Sequence, residues 1–243
     1  MNKYSQIVYN STKKRIILQQ EKIVKMFDKI ANKYDVVNRV VSFGIDKNWR
    51  KESVNECFKF IDKKEIIILD VACGTGDMIK IWKKHTHNIY GIDPSKEMLK
   101  VAKNRFPDIS FYQNYAVDLP FEDNFADILS ISFGLRNVIE VEKAIKEFYR
   151  VLKKDGILLI LEFTKKDKNS VFRTTIDFYS HKILPKIASF ISDKEAYEYL
   201  PNSIEQFYTK EELIQLLNRN NFKILNTKSF NFSQVSLIIA KKN

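Results

Sequence analysis

The chain has 243 residues, 41 Lys+Arg against 30 Asp+Glu for a net charge of +11, 44% hydrophobic residues, and only six Gly and five Pro. That composition excludes a disordered, collagen-like or low-complexity chain, and the length suffices for a substantial core. Two cysteines, Cys57 and Cys73, make no disulfide framework and point to a reducing compartment; no apolar run has the roughly 18–20 residues of a membrane span, and no signal peptide is expected.

The charge carries two readings. Of the 41 basic residues, 33 are Lys and 8 are Arg, and no block of five or six like charges occurs. Phosphate- and base-reading sites favour Arg forks. A Lys-rich drift spread over the whole chain fits these numbers, and so does a basic docking face. An RNA-directed protein would want clustered Arg or aromatics among basic residues, and neither is evident, so no nucleic-acid partner is expected.

In chain order, residues 1–60 read as mostly helical and precede the sheet as a cover. Glu65–Val71 is a nearly continuous apolar run, the pattern of a strand buried on both faces. A helix follows the Gly74/Gly76 turn and runs to about Lys84. Asn88–Ile92 is a second strand ending in Asp93-Pro94-Ser95, with Pro94 suited to start the next helix. Ile109–Gln113 and Phe125–Ser132 are further strands. Val141–Leu152 is an amphipathic helix stopped by Gly156, and Ile157–Phe163 is a fifth strand. Residues 168–208 form a helical, aromatic insertion. Asn221–Thr227 and Gln234–Lys241 pair antiparallel. The expected fold is α/β: a Rossmann-like, doubly wound, seven-stranded, mostly parallel sheet with an antiparallel C-terminal strand and a helical cover. All of 1–243 is taken as one domain, with 65–163 the cofactor-binding core and 209–243 a C-terminal helix and strand pair.

The chemistry concentrates in Asp70-Val71-Ala72-Cys73-Gly74-Thr75-Gly76-Asp77. A Gly-x-Gly turn after a buried strand lets the backbone approach a ligand. The third Gly of a dinucleotide fingerprint is replaced by Ile79, and no Gly-Lys-Ser/Thr follows, so neither NAD nor a P-loop nucleotide fits well. Asp93, at the end of the second strand, is placed to accept ribose hydroxyls. Asp70 and Asp93 taken singly also fit local capping. Together with Gly74 and Gly76 they make an acidic turn without a phosphate cradle. That suits S-adenosylmethionine, which carries a ribose, an ammonium and a sulfonium but no phosphate. Asp118-Leu119-Pro120-Phe121, with Tyr115 and Ala116 before it, would form the turn beside the adenine.

Four stretches then carry a resemblance from about Met26 to Ala240. They are Met26-Phe27-Asp28 with Tyr34-Asp35, Asn38, Ser42-Phe43-Gly44-Ile45 and Trp49; the Asp70–Asp77 turn; Ser132-Phe133-Gly134-Leu135-Arg136-Asn137; and Arg150-Val151-Leu152-Lys153 leading to Glu162-Phe163. The chain resembles the ubiquinone/menaquinone biosynthesis C-methyltransferases, a class I S-adenosylmethionine-dependent family. It departs from that pattern at Val37, Asp46, Cys73, Lys154-Asp155 and Thr164; the family usually has His where Asp46 stands. By position the resemblance implies cofactor contacts at Thr75, Asp93, Tyr115, Ala116 and Ser132. It implies methylation of a ring carbon on a prenylated quinol, and Gly44-Ile45-Asp46-Lys47 looks more like the menaquinone-pathway members. No metal is required, since a sulfonium methyl is already electrophilic.

In such a reaction Arg136 would stabilise a phenolate, Asn137 would orient the hydroxyl, and Tyr34 and Asp35 would close over the quinol and assist deprotonation. Arg136 equally fits an ion pair with Glu162. His85-Thr86-His87 reads as a solvated loop and Cys73 as a small filler. Phe172, Phe178, Tyr179, Phe190, Tyr197 and Tyr199 fit helix core and a channel for a prenyl tail equally. A cytoplasmic enzyme with peripheral contact to an anionic membrane face is expected, because its substrate lives in a bilayer; a homodimer is compatible with the resemblance.

Overall fold

The computed structural model describes residues 3–42, 44–165, 194–230 and 234–243. Helices α1 (Lys3–Ile30), α2 (Tyr34–Ser42) and α3 (Asp46–Phe58) precede the sheet. Then come β1 (Ile68–Val71), α4 (Ile79–Trp82), β2 (Ile89–Ile92), α5 (Lys96–Arg105), β3 (Ser110–Tyr112), β4 (Ala126–Ser132), α6 (Val141–Val151) and β5 (Leu152–Phe163). The chain ends with α7 (Lys194–Gln206), α8 (Lys210–Arg219), β6 (Phe222–Phe230) and β7 (Val235–Lys242). The seven strands form one sheet in the order β3-β2-β1-β4-β5-β7-β6. β1 to β5 pair in parallel, and β7 runs antiparallel to both β5 and β6.

The central strands are mostly apolar because helices cover both faces. Every residue of β1 and β4 is buried. Leu69, Val71, Leu129, Ile131, Leu158 and Ile160 share a cluster with the α6 stripe Val141, Ala144, Ile145, Phe148 and Val151 and with Leu213, Leu216 and Leu217 of α8. Their alternating neighbours Ile68, Ile128, Leu159 and Leu161 pack with Trp49, Val54, Cys57, Ile79 and Trp82 of α3 and α4.

Three local expectations shift. The helix behind the glycine turn is a single turn, because Gly74 and Gly76 hold left-handed φ of 54° and 89° and delay its start. Pro94 does not open α5; Ser95 does, its hydroxyl accepting the Met98 N–H at 3.1 Å as an N-cap. Gly156 does not stop α6. The helix ends at Val151, Leu152 already pairs with Ala126, and Asp155 takes the left-handed conformation at φ 62°.

The turns leaving β1 and β4 lie against each other. Each begins with a non-glycine residue in the left-handed region, Ala72 at φ 51° and Phe133 at φ 59°. A Cβ on Gly134 would lie 2.4 Å from the Ala72 Cβ, far inside van der Waals contact. Gly134→Ala is therefore expected to destabilise by about 1–3 kcal/mol, lowering Tm by about 2–4 °C per kcal/mol. Adding Ala72→Gly removes the overlap and a left-handed penalty of about 1–2 kcal/mol, so the double variant should recover most of the loss. Additive Tm changes in thermal denaturation would show that the two turns do not touch in this way.

Candidate active site

In a sheet of this order the crossover direction reverses between β1 and β4, and ligands bind outside the carboxyl ends of the strands there. A cavity of about 590 Å³ occupies that position. Gly74, Asp93, Tyr115, Ala116, Ser132 and Asn137 line it from the sheet side. Ile16, Ile17, Ile23, Val24 and Phe27, one face of α1, line it from the other. The N-terminal cover thus roofs the site, as a helix with this apolar stripe must find a surface to bury against.

Asp93 is the organising carboxylate. It is buried; Oδ2 accepts the Gly74 N–H at 2.9 Å and Oδ1 accepts the Ser95 N–H at 2.8 Å. Burial pushes its pKa up to about 6 against these two bonds. Each oxygen keeps a free lone pair for a ligand hydroxyl. Asp70 is 1% exposed. Its Oδ1 accepts from Ser130 Oγ at 2.7 Å, and Trp82 Nε1 in turn donates to that Oγ at 3.0 Å. Burial pushes the Asp70 pKa up to about 7. Asp70 and Thr75 do not reach the large cavity; with Gly74 and Ser132 they line a small hollow beside it. Gly76 lines neither, and a side chain there would strike the Phe106 ring at 2.7 Å.

Tyr34 faces both cavities, with its ring edge-on to Phe27 at 5.9 Å. Burial raises its pKa, opposed by a hydrogen bond with Asn38 and the charge of Arg136. Asp35 is tied down instead: Thr75 Oγ1 donates to Oδ1 at 2.5 Å and Arg105 Nη1 to Oδ2 at 2.8 Å. It acts as a clasp between α2, the glycine turn and α5, outside the cavity wall. Arg136 makes the ion pair that was one of its two readings. Its Nη1 lies 2.6 Å from Glu162 Oε1 and 2.8 Å from the Phe133 carbonyl, with side-chain exposures of 6% and 1% for the pair. Burial works to lower the guanidinium pKa, but Glu162, Tyr34 and Tyr199 together hold it above its ordinary value. Next to it, Asn137 reaches the cavity and accepts a hydrogen bond from the Tyr199 hydroxyl at 2.9 Å.

Several groups were not singled out from sequence. Gln20 clamps the strand-following segment at two points, Nε2 donating to the Asn137 carbonyl at 3.0 Å and Oε1 accepting the Ile139 N–H at 3.1 Å. Asp28 accepts from Ser95 Oγ at 2.6 Å. Arg39 pairs with Asp77 at 2.5 Å and also with Asp46. Asp46, the departure from the family pattern, is a buried hub that also accepts from Ser42 Oγ at 2.8 Å and lies 3.8 Å from Arg50 Nε. Gln20, Asp28 and the Arg39–Asp77 pair have no local signal, since their partners are distant in sequence; Asp46 instead pairs locally, with Ser42 and Arg50 four residues to either side and with Arg39. Tyr199 rests edge-on to Phe27 at 6.3 Å, beside the cavity. Phe172, Phe178, Tyr179 and Phe190, and the side chain of Tyr197, lie outside the described residues. His85 stacks on Phe58 at 4.3 Å, and burial raises the Cys73 thiol pKa, as fits an inert filler.

Sheet order, the glycine turn and the acidic residue ending β2 define a class I methyltransferase. The cyclase SpnF aligns with 90% of the chain and 94% of its own at a TM-score of 0.67 and 16% identity. A Thermotoga maritima S-adenosylmethionine-dependent methyltransferase, described as a possible histamine N-methyltransferase, aligns with 91% and 100% at a TM-score of 0.64 and 20% identity. At such identities the likeness speaks to fold alone. Family is given by sequence: the model of the ubiE/COQ5 methyltransferase family matches residues 15–242, and the chain belongs to that family. It is 52% identical over 232 residues to the Campylobacter jejuni ubiquinone/menaquinone biosynthesis C-methyltransferase UbiE, covering 92% of this chain and 99% of that protein. It is 37% identical over 223 residues to the demethylmenaquinone methyltransferase of Chlorobaculum parvum, covering 90% and 92%.

The strained carboxyl at Asp70 has a thermodynamic signature. Its pKa rises from 3.8 to about 7 on folding. The unfolded chain therefore ionises first, and stability falls as pH climbs from about 4 to about 7, then levels. Asp70→Asn should stabilise the fold at pH 8 by on the order of 2–4 kcal/mol, raising Tm, and leave Tm nearly unchanged at pH 4. A pH-independent difference between variant and parent would assign the strain elsewhere.

Proposed function

We propose that the protein transfers the methyl group of S-adenosylmethionine to a ring carbon of a prenylated quinol, with demethylmenaquinol as acceptor. The observation that carries this reading is the two-ended cavity: a buried carboxylate, Asp93, at the sheet end and the apolar face of α1 along the other wall. The residues fit the co-substrate. Asp93 has lone pairs for the two ribose hydroxyls, Tyr115 and Ala116 flank the place of the base, and Ser132 Oγ is buried without a partner at the same wall. The names of the Campylobacter and Chlorobaculum relatives support a quinone-pathway acceptor. The benzoquinol of the ubiquinone pathway is the second reading, supported by the former name.

When bound, the sulfonium supplies an electrophilic methyl group. The chain's own residues align the acceptor with it and manage charge on the acceptor ring. Asn137, fixed by Tyr199, orients the acceptor hydroxyl. Arg136 places a buried positive charge behind Tyr34 and Asn137, favouring the phenolate that makes the ring carbon nucleophilic. Tyr34, held in the roof beside Asp35, hydrogen-bonds to the same oxygen. No helix among the described residues is long and apolar enough to cross a membrane. We assign access to the bilayer-borne quinol to peripheral contact on the cytoplasmic face. Ile17 and Leu18 of α1 are 48% and 55% exposed, and Lys13, Lys14 and Arg15 beside them are exposed too.

Labelled methyl from S-adenosylmethionine should enter demethylmenaquinol, more slowly a demethylated benzoquinol, and not bulk RNA; incorporation only into RNA would refute the reading. Arg136→Lys, which keeps a charge opposite Glu162, should lower kcat at least tenfold while calorimetric cofactor affinity changes less than twofold. Co-sedimentation should favour phosphatidylglycerol over phosphatidylcholine vesicles and fall with salt, each well-placed basic residue contributing about 1 kcal/mol. Binding indifferent to both salt and lipid charge would leave the basic composition without a docking role.

A further inference from the structure

Gln20 stands in the middle of the apolar stripe of α1, three or four residues from Ile16 and Ile17 on one side and from Ile23 and Val24 on the other. All five line the large cavity. A polar side chain in such a row loses hydration for nothing unless its amide is paired. This amide is paired twice, Nε2 donating to the Asn137 carbonyl at 3.0 Å and Oε1 accepting the Ile139 N–H at 3.1 Å.

The two backbone groups are a matched set. They flank Val138, which is extended at φ −91° and ψ 121° where the chain leaves the short helical turn Leu135–Asn137. Around an extended residue the preceding carbonyl and the following N–H point the same way, as they do toward a neighbouring strand. A carboxamide offers a donor and an acceptor side by side and takes the place of that strand. A carboxylate lacks the donor, and an alkyl chain has neither group.

What Gln20 holds lies in the site. Asn137, Val138 and Ile139 line the cavity opposite α1. The Asn137 side chain is tied at both ends, Oδ1 accepting from the Tyr199 hydroxyl at 2.9 Å and Nδ2 donating to the Phe133 carbonyl at 3.4 Å. Those bonds turn the amide, and the Gln20 clamp sets the distance of its backbone from the roof.

We infer that Gln20 is a positioning residue for methyl transfer. By docking the Asn137–Ile139 backbone onto α1 it holds the Asn137 amide against the acceptor oxygen when the roof is closed, and it acts through Asn137 rather than on the acceptor. The inference rests on the acceptor role given to Asn137 above.

Turnover of demethylmenaquinol and amide hydrogen exchange test it together. Gln20→Ala should lower kcat about fivefold or more, the worth of one ordinary hydrogen bond felt in the transition state. Calorimetric affinity for S-adenosylhomocysteine should change less than about twofold. Gln20→Glu fills the same space and keeps an acceptor for Ile139, but turns a carboxylate on the Asn137 carbonyl, and should be no faster than Gln20→Ala. Parental turnover in Gln20→Glu would make Gln20 a space filler and overturn the inference. In an Asn137→Ala background the Gln20→Ala change should cost less than about twofold, because the group it positions is gone; an undiminished further loss would overturn the inference as well. Exchange reads the clamp without any substrate: the Ile139 amide should exchange about tenfold faster or more in Gln20→Ala while amides of β1 keep their protection. Unchanged exchange at Ile139 would show that there is no clamp. If the unaltered protein transferred no label to either quinol, the acceptor reading would fail and the positioning role with it, a failure distinct from that of the clamp.

Discussion

Two adjacent strands that end at the same level must send their chains away without collision, and this constraint shapes the site. β1 leaves through Ala72 and β4 through Phe133, both in a conformation that costs a non-glycine residue about 1–2 kcal/mol. The sheet holds them there: Cys73 N–H donates to the Ile92 carbonyl at 3.0 Å and Phe133 N–H to the Leu161 carbonyl at 2.7 Å. With both turns pinned, the Gly74 N–H meets Asp93, and Asp70 and Ser132 meet across the small hollow. The buried carboxylates are consequences of this geometry. Neither would be tolerated at its burial without its donors, the turn N–H groups of Gly74 and Ser95 for Asp93 and the Ser130 hydroxyl on the neighbouring strand for Asp70.

The roof is held by a different kind of force. Gln20, Asp28, Asp35 and Arg39 each join the N-terminal helices to a turn at the ligand end of the sheet, to Asn137 and Ile139, Ser95, Thr75 and Arg105, and Asp77 respectively. Such bonds are worth about 0.5–1.5 kcal/mol each, more where charge is involved. By contrast the sheet beneath buries two full apolar layers. The cover is therefore far less firmly held than the platform it closes, and the polar contacts that hold it are the ones nearest the ligand.

What was legible in the sequence follows from range. Strand runs, the glycine turn, Asp93 and the antiparallel end are local patterns, so their positions shift by only a residue or a few. The errors are local as well. Pro94 and Gly156 carry strong propensities, yet Ser95 supplies the cap and Asp155 the left-handed residue, because a cap needs an acceptor at the right place and the irregularity between Leu152 and Ile157 falls where the pairing of β5 with β4 puts it. Side-chain partnerships across the fold left no such trace. Asp35 meets Thr75 across 40 residues and Gln20 meets the Asn137 carbonyl across 117. Asp46 read only as a missing histidine, and Arg50 as an unremarked helix residue, until α2 and α3 were packed against the turn.

Arg136 shows how a structural pair and a chemical role coincide. A guanidinium this deep requires Glu162, since an unpaired buried charge would be prohibitive. Paired, it does not itself line the cavity, yet its field reaches Tyr34 and Tyr199, whose phenols it acidifies against the opposite effect of burial. Burial wins in both: Tyr34 stays above its ordinary pKa, and Tyr199 is pushed up to about 12. Both phenols are thus neutral donors near neutral pH. Tyr199 spends its proton on Asn137, while Tyr34 keeps its hydroxyl at the cavity wall. A neutral phenol backed by a buried cation stabilises negative charge on an acceptor oxygen without holding the proton that oxygen gives up. That division, charge held on one side and the proton leaving on another, is what a site for ring methylation requires.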